Sequence, residues 1–518
     1  MTKDVPTLAT LDNDVLFTVF DALKYTLRYD RSVTSTTPCL LPLSSTCKRL
    51  RATIAPSIFQ RLTNERGMWS ECSDNDFWPS TIWKYIETVV VCGDTRSPRA
   101  MAHEVVASIL PKLPSLKRFS FQMESAPPVV LLNAIAVIEI AALEFTNVRL
   151  DGPPLTDTFS RLRLTHLLLT ASPWRLENLN STAERKNVAD ILSTLSNTLV
   201  YLKVSGNFIS FKTLARLDWP FLQTLTLIDR IPNEIVIPIP TVISQMPHLR
   251  NLHYNFGATS ETYIPPIVYW PENHASASLA ATHPCMQSLS LSNICPAEHI
   301  MDHLPHGLRS LRILALRERG QQSLLPPWYP FSPLRKEDAL RIIARAALLP
   351  YLVDLALTLV DLPSPNVLDA VAKSCPKLRI LEVSKGDFEL EEGDSPYLIQ
   401  HLIEPLAQLE DLRELRISIG FGSQYIGSPF RGLKDKTPLY RRMDAAGNMF
   451  AKMLPKLNFL SFSFGNDGHY SELPDHVIWY KYGIVNGVDG NPPVALLDIE
   501  SGCEASSEPD DKTLCGFP

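Results

Sequence analysis

The sequence predicts an α/β chain in which a short helical module precedes a long solenoid of strand–helix units. Three observations predict it. A six-residue pattern, apolar-x-x-apolar-x-apolar, returns thirteen times between residues 86 and 462. Several copies share a Pro-x-Leu lead-in, and about half of the intervals between copies fall at 23–27 residues. Such intervals suit a solenoid unit, because one strand with its helix cannot bury its apolar face alone and neighbours must stack.

The copies read IETVVV (86–91), LKRFSF (116–121), IAALEF (140–145), LTHLLL (164–169), LVYLKV (199–204), LQTLTL (222–227) and LRNLHY (249–254). MQSLSL (286–291), LRILAL (311–316), LVDLAL (352–357), LRILEV (378–383), LRELRI (412–417) and LNFLSF (457–462) follow. In each, positions four and six point the same way on a short strand, and position one packs behind them. Helix-compatible stretches lie between, among them EVVASILPKL (104–113), NVADILSTL (187–195) and NVLDAVAKSC (366–375). Residues 86–466 resemble a degenerate leucine-rich-repeat solenoid, a horseshoe in that family, although most copies lack the asparagine or cysteine that follows the strand there.

Composition sets the outer bounds. A chain of 518 residues exceeds one compact core, so several domains or an elongated repeat structure is expected. Hydrophobic content of 45% and charged content of 20% are those of a folded protein. The net charge of -6 gives no hint of general nucleic-acid affinity, which normally shows as a basic excess on one face, and no nucleic-acid partner is expected. Forty-two prolines against 21 glycines imply short elements joined by stiff connections. Nine scattered cysteines, never in CxxC spacing, imply reduced thiols and an intracellular setting, cytoplasm and/or nucleus. The start, MTKDVPTLATLDNDV, has acidic residues where a signal peptide needs apolar ones. The most apolar window, 129–145, is interrupted by Asn133 and Glu139 and is too short and polar to span a bilayer.

Five intervals are longer than the rest, and three of them are rich in aromatics beside prolines. YIPPIVYWPENH (263–274) offers Tyr269 and Trp270, PPWYPFSP (326–333) offers Trp328, Tyr329 and Phe331, and the segment 421–442 offers Tyr425. Stiff loops carrying large anchors suit a substrate-binding interface, since the anchors lose little freedom on binding. The same loops could instead fold back over apolar repeat ends, and both readings stay open here.

Residues 1–65 stand apart as a helical module, with 66–85 as connector and 467–518 as a C-terminal cap and mobile acidic tail. TLDNDVLFTVFDAL (10–23) sets Val15, Leu16, Val19, Phe20 and Leu23 on one helical face. Leu40, Leu43, Cys47 and Leu50 make a second stripe, with Lys48, Arg49 and Arg51 in its solvated last turns, and Pro56 and Phe59 close the unit. The strings LDNDVLFTVFDAL, LLPLSSTCKRL and PSIF resemble the F-box, although the usual Leu-Pro opening is replaced by Leu11-Asp12. That resemblance implies a Skp-type adaptor contacted by Leu11, Val15, Leu16, Phe20, Leu43, Ser44, Cys47 and Leu50. Through the adaptor it implies a cullin–RING ubiquitin ligase, with the repeats holding an unknown protein substrate. A scaffold whose F-box-like helices merely cap the solenoid is the alternative.

No motif argues for catalysis, a cofactor or a membrane. Cys295, His299 and His303 fall four residues apart but within one local segment that Pro305 ends, which makes a poor zinc site. GFGSQYIG (420–427) lacks the following helix that a phosphate loop needs. The carboxylates of KGDFELEEGDSP read as a solvated turn, and the terminal C-G-F-P lacks the aliphatic pair of a prenylation box. The expectation is therefore a non-enzymatic protein-binding chain.

Overall fold

A computed structural model describes residues 16, 48–64, 80–92, 103–171, 181–231, 237–257, 267–272, 278–295, 298–316, 333–386, 397–421, 437–464, 478–485, 493–497 and 504–505. The chain divides into two compact units, Met1–Val204 and Ser205–Pro518. Each is an α/β solenoid of parallel strands with helices in the connections.

In the first unit the strands are β1 (Arg61–Asn64), β2 (Thr88–Cys92), β3 (Arg118–Gln122), β4 (Ala142–Thr146), β5 (His166–Thr170) and β6 (Tyr201–Ser205). Each pairs in parallel with the next. The connecting helices His103–Ile109, Val129–Ala136, Thr156–Phe159 and Ser181–Leu195 pack side by side in the same order. Burial follows the sequence pattern: Leu164, Leu167 and Leu169 are all inaccessible to solvent. Each such side chain removed from water contributes about 1.5–3 kcal/mol before the entropy of ordering is subtracted. Phe121, Phe145 and Phe159 meet edge to face at 6.4 and 6.3 Å, so aromatic contacts tie β3 and β4 to the helix Thr156–Phe159.

The second unit continues the scheme with β7 (Thr224–Arg230), β8 (Asn251–Gly257), β9 (Ser288–Ser292), β10 (Ser310–Leu314), β11 (Asp354–Leu359), β12 (Ile380–Lys385), β13 (Glu414–Ser418) and β14 (Phe459–Phe464). All pairs from β7 to β14 are parallel. Two of its helices begin on a serine cap. Ser364 accepts the Val367 N–H ahead of Pro365, and Ser210 accepts the Thr213 N–H at 3.1 Å. The end of the ladder changes sense: β15 (Ile478–Val485) runs antiparallel to β14, with β16 (Val494–Leu497) and β17 (Glu504–Ala505) antiparallel to β15. A parallel edge left open would present unpaired amides, and the reversed strands satisfy those of β14.

One backbone device fixes the frame. Within each unit, the carbonyl at position two of a copy accepts two N–H groups from the next copy. Glu87 O takes Lys117 N at 2.9 Å and Arg118 N at 3.0 Å, and Arg309 O takes Val353 N at 2.8 Å and Asp354 N at 3.0 Å. This ladder corrects the sequence reading twice. The copy read as 311–316 belongs at 308–313, since Ser310 pairs with both Ser288 and Asp354. LRSLRILAL contains both frames, and only the neighbours select between them. The ladder also begins earlier than 86. Gln60 O accepts Glu87 N and Thr88 N, which makes β1 the first strand although it lies inside the segment assigned to the helical module.

A second device turns the chain out of the strands. The non-glycine residues at positive φ among the described residues are Asn147, Asp229 and Asn293, at 64°, 64° and 52°. All three occupy position eight of their copies, and the short polar side chains of Asn and Asp tolerate that left-handed geometry best. Among the described residues no helix is long and apolar enough to cross a membrane.

Candidate binding face

Positions four and six face the helices, so period two places positions three, five and seven on the opposite side of the sheet. In the second unit, position five reads Thr226, His253, Ser290, Arg312, Ala356, Glu382, Arg416 and Ser461 along consecutive strands. The row is polar yet largely buried. Arg312 is 8% exposed and Glu382 2%.

Arg312 organises the centre of this row. Its Nη2 donates to Glu382 Oε2 at 2.6 Å, two strands away. The reach is possible because the intervening strand has only Ala356 at the same position. Arg312 Nη1 lies 3.6 Å from Asp354 Oδ1, and Ser310 Oγ donates to Asp354 Oδ2 at 2.7 Å. Arg416 extends the network, with Nη1 at 3.9 Å from Glu382 and Nη2 at 2.8 Å from Glu414. Burial pulls the Arg312 pKa down, but Glu382 and Asp354 outweigh it and the net direction is up. Asp354 also moves up, because burial outweighs its longer contact with Arg312 and its Ser310 bond. Arg312 Nε and Asp354 Oδ1 have no hydrogen-bond partner. The network is thus incompletely satisfied, and a buried charge left in that state is costly.

Position seven supplies a hydroxyl row beside it. Ser384 donates to Thr358 at 3.2 Å, Ser418 accepts from Lys385 N at 2.8 Å, and Ser418 and Ser463 share a short hydrogen bond. Small hydroxyls at this position let adjacent strands lock side chain to side chain without bulk. The arrangement offers charge and hydrogen bonding to a partner surface. In the position-five row the His253 ring has a hydroxyl at each nitrogen, Thr226 Oγ1 at 3.4 Å from Nδ1 and Ser288 Oγ at 3.1 Å from Nε2.

The expected loop anchors behave differently. Tyr269 is fully buried and Trp270 is 1% exposed, so neither serves as a surface anchor; this corrects the sequence expectation. The cause is Glu298. Its carboxylate accepts Tyr269 N at 2.6 Å, Trp270 N at 2.8 Å and Ile300 N at 3.0 Å, and Tyr269 Oη donates to Ser292 O at 2.9 Å. Trp270 stacks on His303 with ring centroids 4.0 Å apart. Burial raises the Glu298 pKa against the backbone donors that lower it. His303, weighed in the sequence as a metal-capable residue, therefore packs a tryptophan face. Among the described residues no group of three His, Cys, Asp or Glu could hold a metal ion. Trp328, Tyr329, Phe331 and Tyr425 lie outside the described residues.

At the N-terminus, Leu16 and Leu50 are 0% and 4% exposed. Both side chains are covered by the chain itself, so neither is presented to an adaptor. The helix Lys48–Phe59 continues through Pro56 and buries Ile54, Ala55 and Ile58, while Lys48, Arg49 and Arg51 are exposed. Leu11, Val15, Phe20, Leu43, Ser44 and Cys47 lie outside the described residues.

Sequence reasoning missed the Arg312–Asp354–Glu382 cluster. Its signal was present as charged residues at a position that otherwise carries small polar ones, but it becomes readable only when the frame is right.

No protein-family model matches the chain, and no curated protein matches it. Three solved structures align with parts of it. A TLR13 chain from a TLR13–ssRNA13 complex is 15% identical, with 78% of this chain and 55% of that chain covered and a TM-score of 0.33. A chain of the yeast Rad7 and Elc1 complex is 14% identical over 74% of this chain and 96% of that one, TM-score 0.33. A leucine-rich-repeat protein of Leptospira interrogans is 15% identical over 80% and 92%, TM-score 0.27. The aligned part is thus little more than half the length of the TLR13 chain.

Proposed function

We propose that this chain is the substrate-recognition subunit of a Skp–cullin–F-box ubiquitin ligase. Its N-terminal helices dock the Skp-type adaptor and its solenoid units hold a protein substrate. The observation that carries the reading is the coupling of the LDNDVLFTVFDAL, LLPLSSTCKRL and PSIF strings to a repeat ladder that starts within two residues of Phe59. A receptor of this kind accelerates transfer by raising effective concentration, which needs no reactive side chain of its own.

A second reading is favoured by one specific observation. Leu16, Leu50, Ile54 and Ile58 are buried within the chain, and Gln60 joins the helix directly to the ladder. Helices used that way act as a cap for the first strands, in a leucine-rich-repeat scaffold with no ubiquitin role.

Co-expression with a Skp-type adaptor followed by size-exclusion chromatography separates the two. Phe20→Asp and Leu43→Asp are the informative variants, and Leu16→Asp serves as a folding comparison because its side chain is internal. A stoichiometric complex lost in the first two variants, with circular dichroism unchanged, supports the receptor. A folded chain that never captures the adaptor leaves the scaffold.

A further inference from the structure

The corrected frame gathers cations on one edge of the second unit. Position two holds an exposed arginine in four of the copies from β8 to β13: Arg250, Arg309, Arg379 and Arg413. The carbonyl of each accepts the paired N–H groups of the next strand, so the backbone from which each side chain springs is fixed at the edge where the chain enters the strands. Two residues earlier in their copies, Lys377 and Lys456 are exposed as well. Across positions zero and two of all eight copies the lone carboxylate is Asp411, already engaged by Lys456 at 3.2 Å. This edge is therefore strongly cationic on a chain whose net charge is -6.

Geometry sets the size of what it fits. Five strand spacings separate Arg250 from Arg413, about 24 Å, which is the length of roughly seven residues of extended polypeptide. Near the middle, Tyr351 and Leu348 are 62% and 61% exposed, an apolar contact with charge on both sides. Guanidinium groups match carboxylates in a bidentate fork.

We propose that this edge binds an acidic, extended segment of a protein partner, with carboxylates on the arginine row and an apolar residue on Tyr351 and Leu348. The exposed leucine decides for polypeptide over nucleic acid, since a phosphate backbone would leave it nothing to pack against. The inference deepens the receptor reading by giving the chemistry of the substrate, and it is measured without the adaptor.

The test uses the full chain and fluorescein-labelled octaglutamate, read by fluorescence anisotropy, with labelled octauridylate as the second probe. Octaglutamate should bind, more weakly as salt is raised. Arg379→Glu with Arg413→Glu should weaken it about tenfold or more, while exposed Arg163→Glu in the first unit changes nothing. Should that double variant fail to fold by circular dichroism, Arg250→Glu with Arg309→Glu replaces it. No binding, binding indifferent to the reversals, or tighter binding of octauridylate would each overturn the proposal. Adaptor capture run on the same variants keeps the two readings apart. Loss of octaglutamate binding with capture intact places the defect on this edge, and octaglutamate binding without any capture removes the ubiquitin reading alone.

Discussion

Each unit carries an arginine–glutamate pair on the sheet face away from its helices, and the two pairs sit in different surroundings. In the first unit Arg118 meets Glu144 at 2.8 Å on the adjacent strand, with 29% and 18% of the side chains exposed. In the second, Arg312 reaches Glu382 at 2.6 Å across an intervening strand, with 10% and 3% exposed. The chemistry is the same and the distances nearly so. Water makes the difference: it screens and competes with the first pair, whereas the second has exchanged its hydration for a network that must be complete. A matching pair of residue types therefore says little about energy until burial is known.

The largest effect should come from halving the buried pair. Arg312→Ala leaves Glu382 and Asp354 in a site with little water, and should cost about 3–5 kcal/mol in denaturant unfolding. The double replacement of Arg312 by Met and Glu382 by Leu sharpens the contrast, because removing both charges should recover most of that loss. If Arg312→Ala proves neutral, the network is far better hydrated than its burial implies.

Glu298→Ala should rank next, at about 2–4 kcal/mol, since three backbone N–H groups lose their acceptor. Trp270 fluorescence should shift to the red as water reaches its ring, and Glu298→Gln should do less harm. A red shift without destabilisation would show that the clamp shapes the segment rather than holding it.

Acid should act through the buried His283 and the half-buried His103 and His166. Burial lowers the pKa of His283 from its usual 6.5, and lowers those of His103 and His166 as well. The unfolded chain then binds protons more readily, so their contribution is complete above pH 6.5 and drains as pH falls from 6.5 toward the lowered values. Melting temperatures between pH 8 and 5 should show that decline, with a shallower slope in His283→Asn. The smallest effect belongs to the more hydrated pair: Arg118→Ala should cost about 0.2–1 kcal/mol, and less in high salt.

Much of the repeat was legible because an apolar residue at positions one, four and six has few ways to be buried. Leu378, Leu381 and Val383 are all inaccessible, as their spacing required. The helix Pro365–Ser374 arose where a polar cap met apolar periodicity, and Ser181–Leu195 where Val188, Ile191, Leu192 and Leu195 recur on one buried face. Two failures have physical causes. β1 escaped because Phe59-x-x-Leu62-x-Asn64 ends on a polar residue, and its membership is set by backbone pairing with β2 rather than by its side chains. Tyr269 and Trp270 looked like surface anchors because prolines flank aromatics there, yet Glu298, 28 residues on from Trp270, supplies the acceptor that draws them inward.

The sequence by itself determined the strand–helix alternation, the apolar core of each copy and the absence of catalytic motifs, because these depend on residues close together in the chain. Tertiary structure alone decided the frame of LRSLRILAL, the burial of Tyr269 and Trp270, and the reach of Arg312 over Ala356 to Glu382. Those depend on which strands stand side by side, and a contact spanning seventy residues of chain leaves no local trace in the pattern of either end.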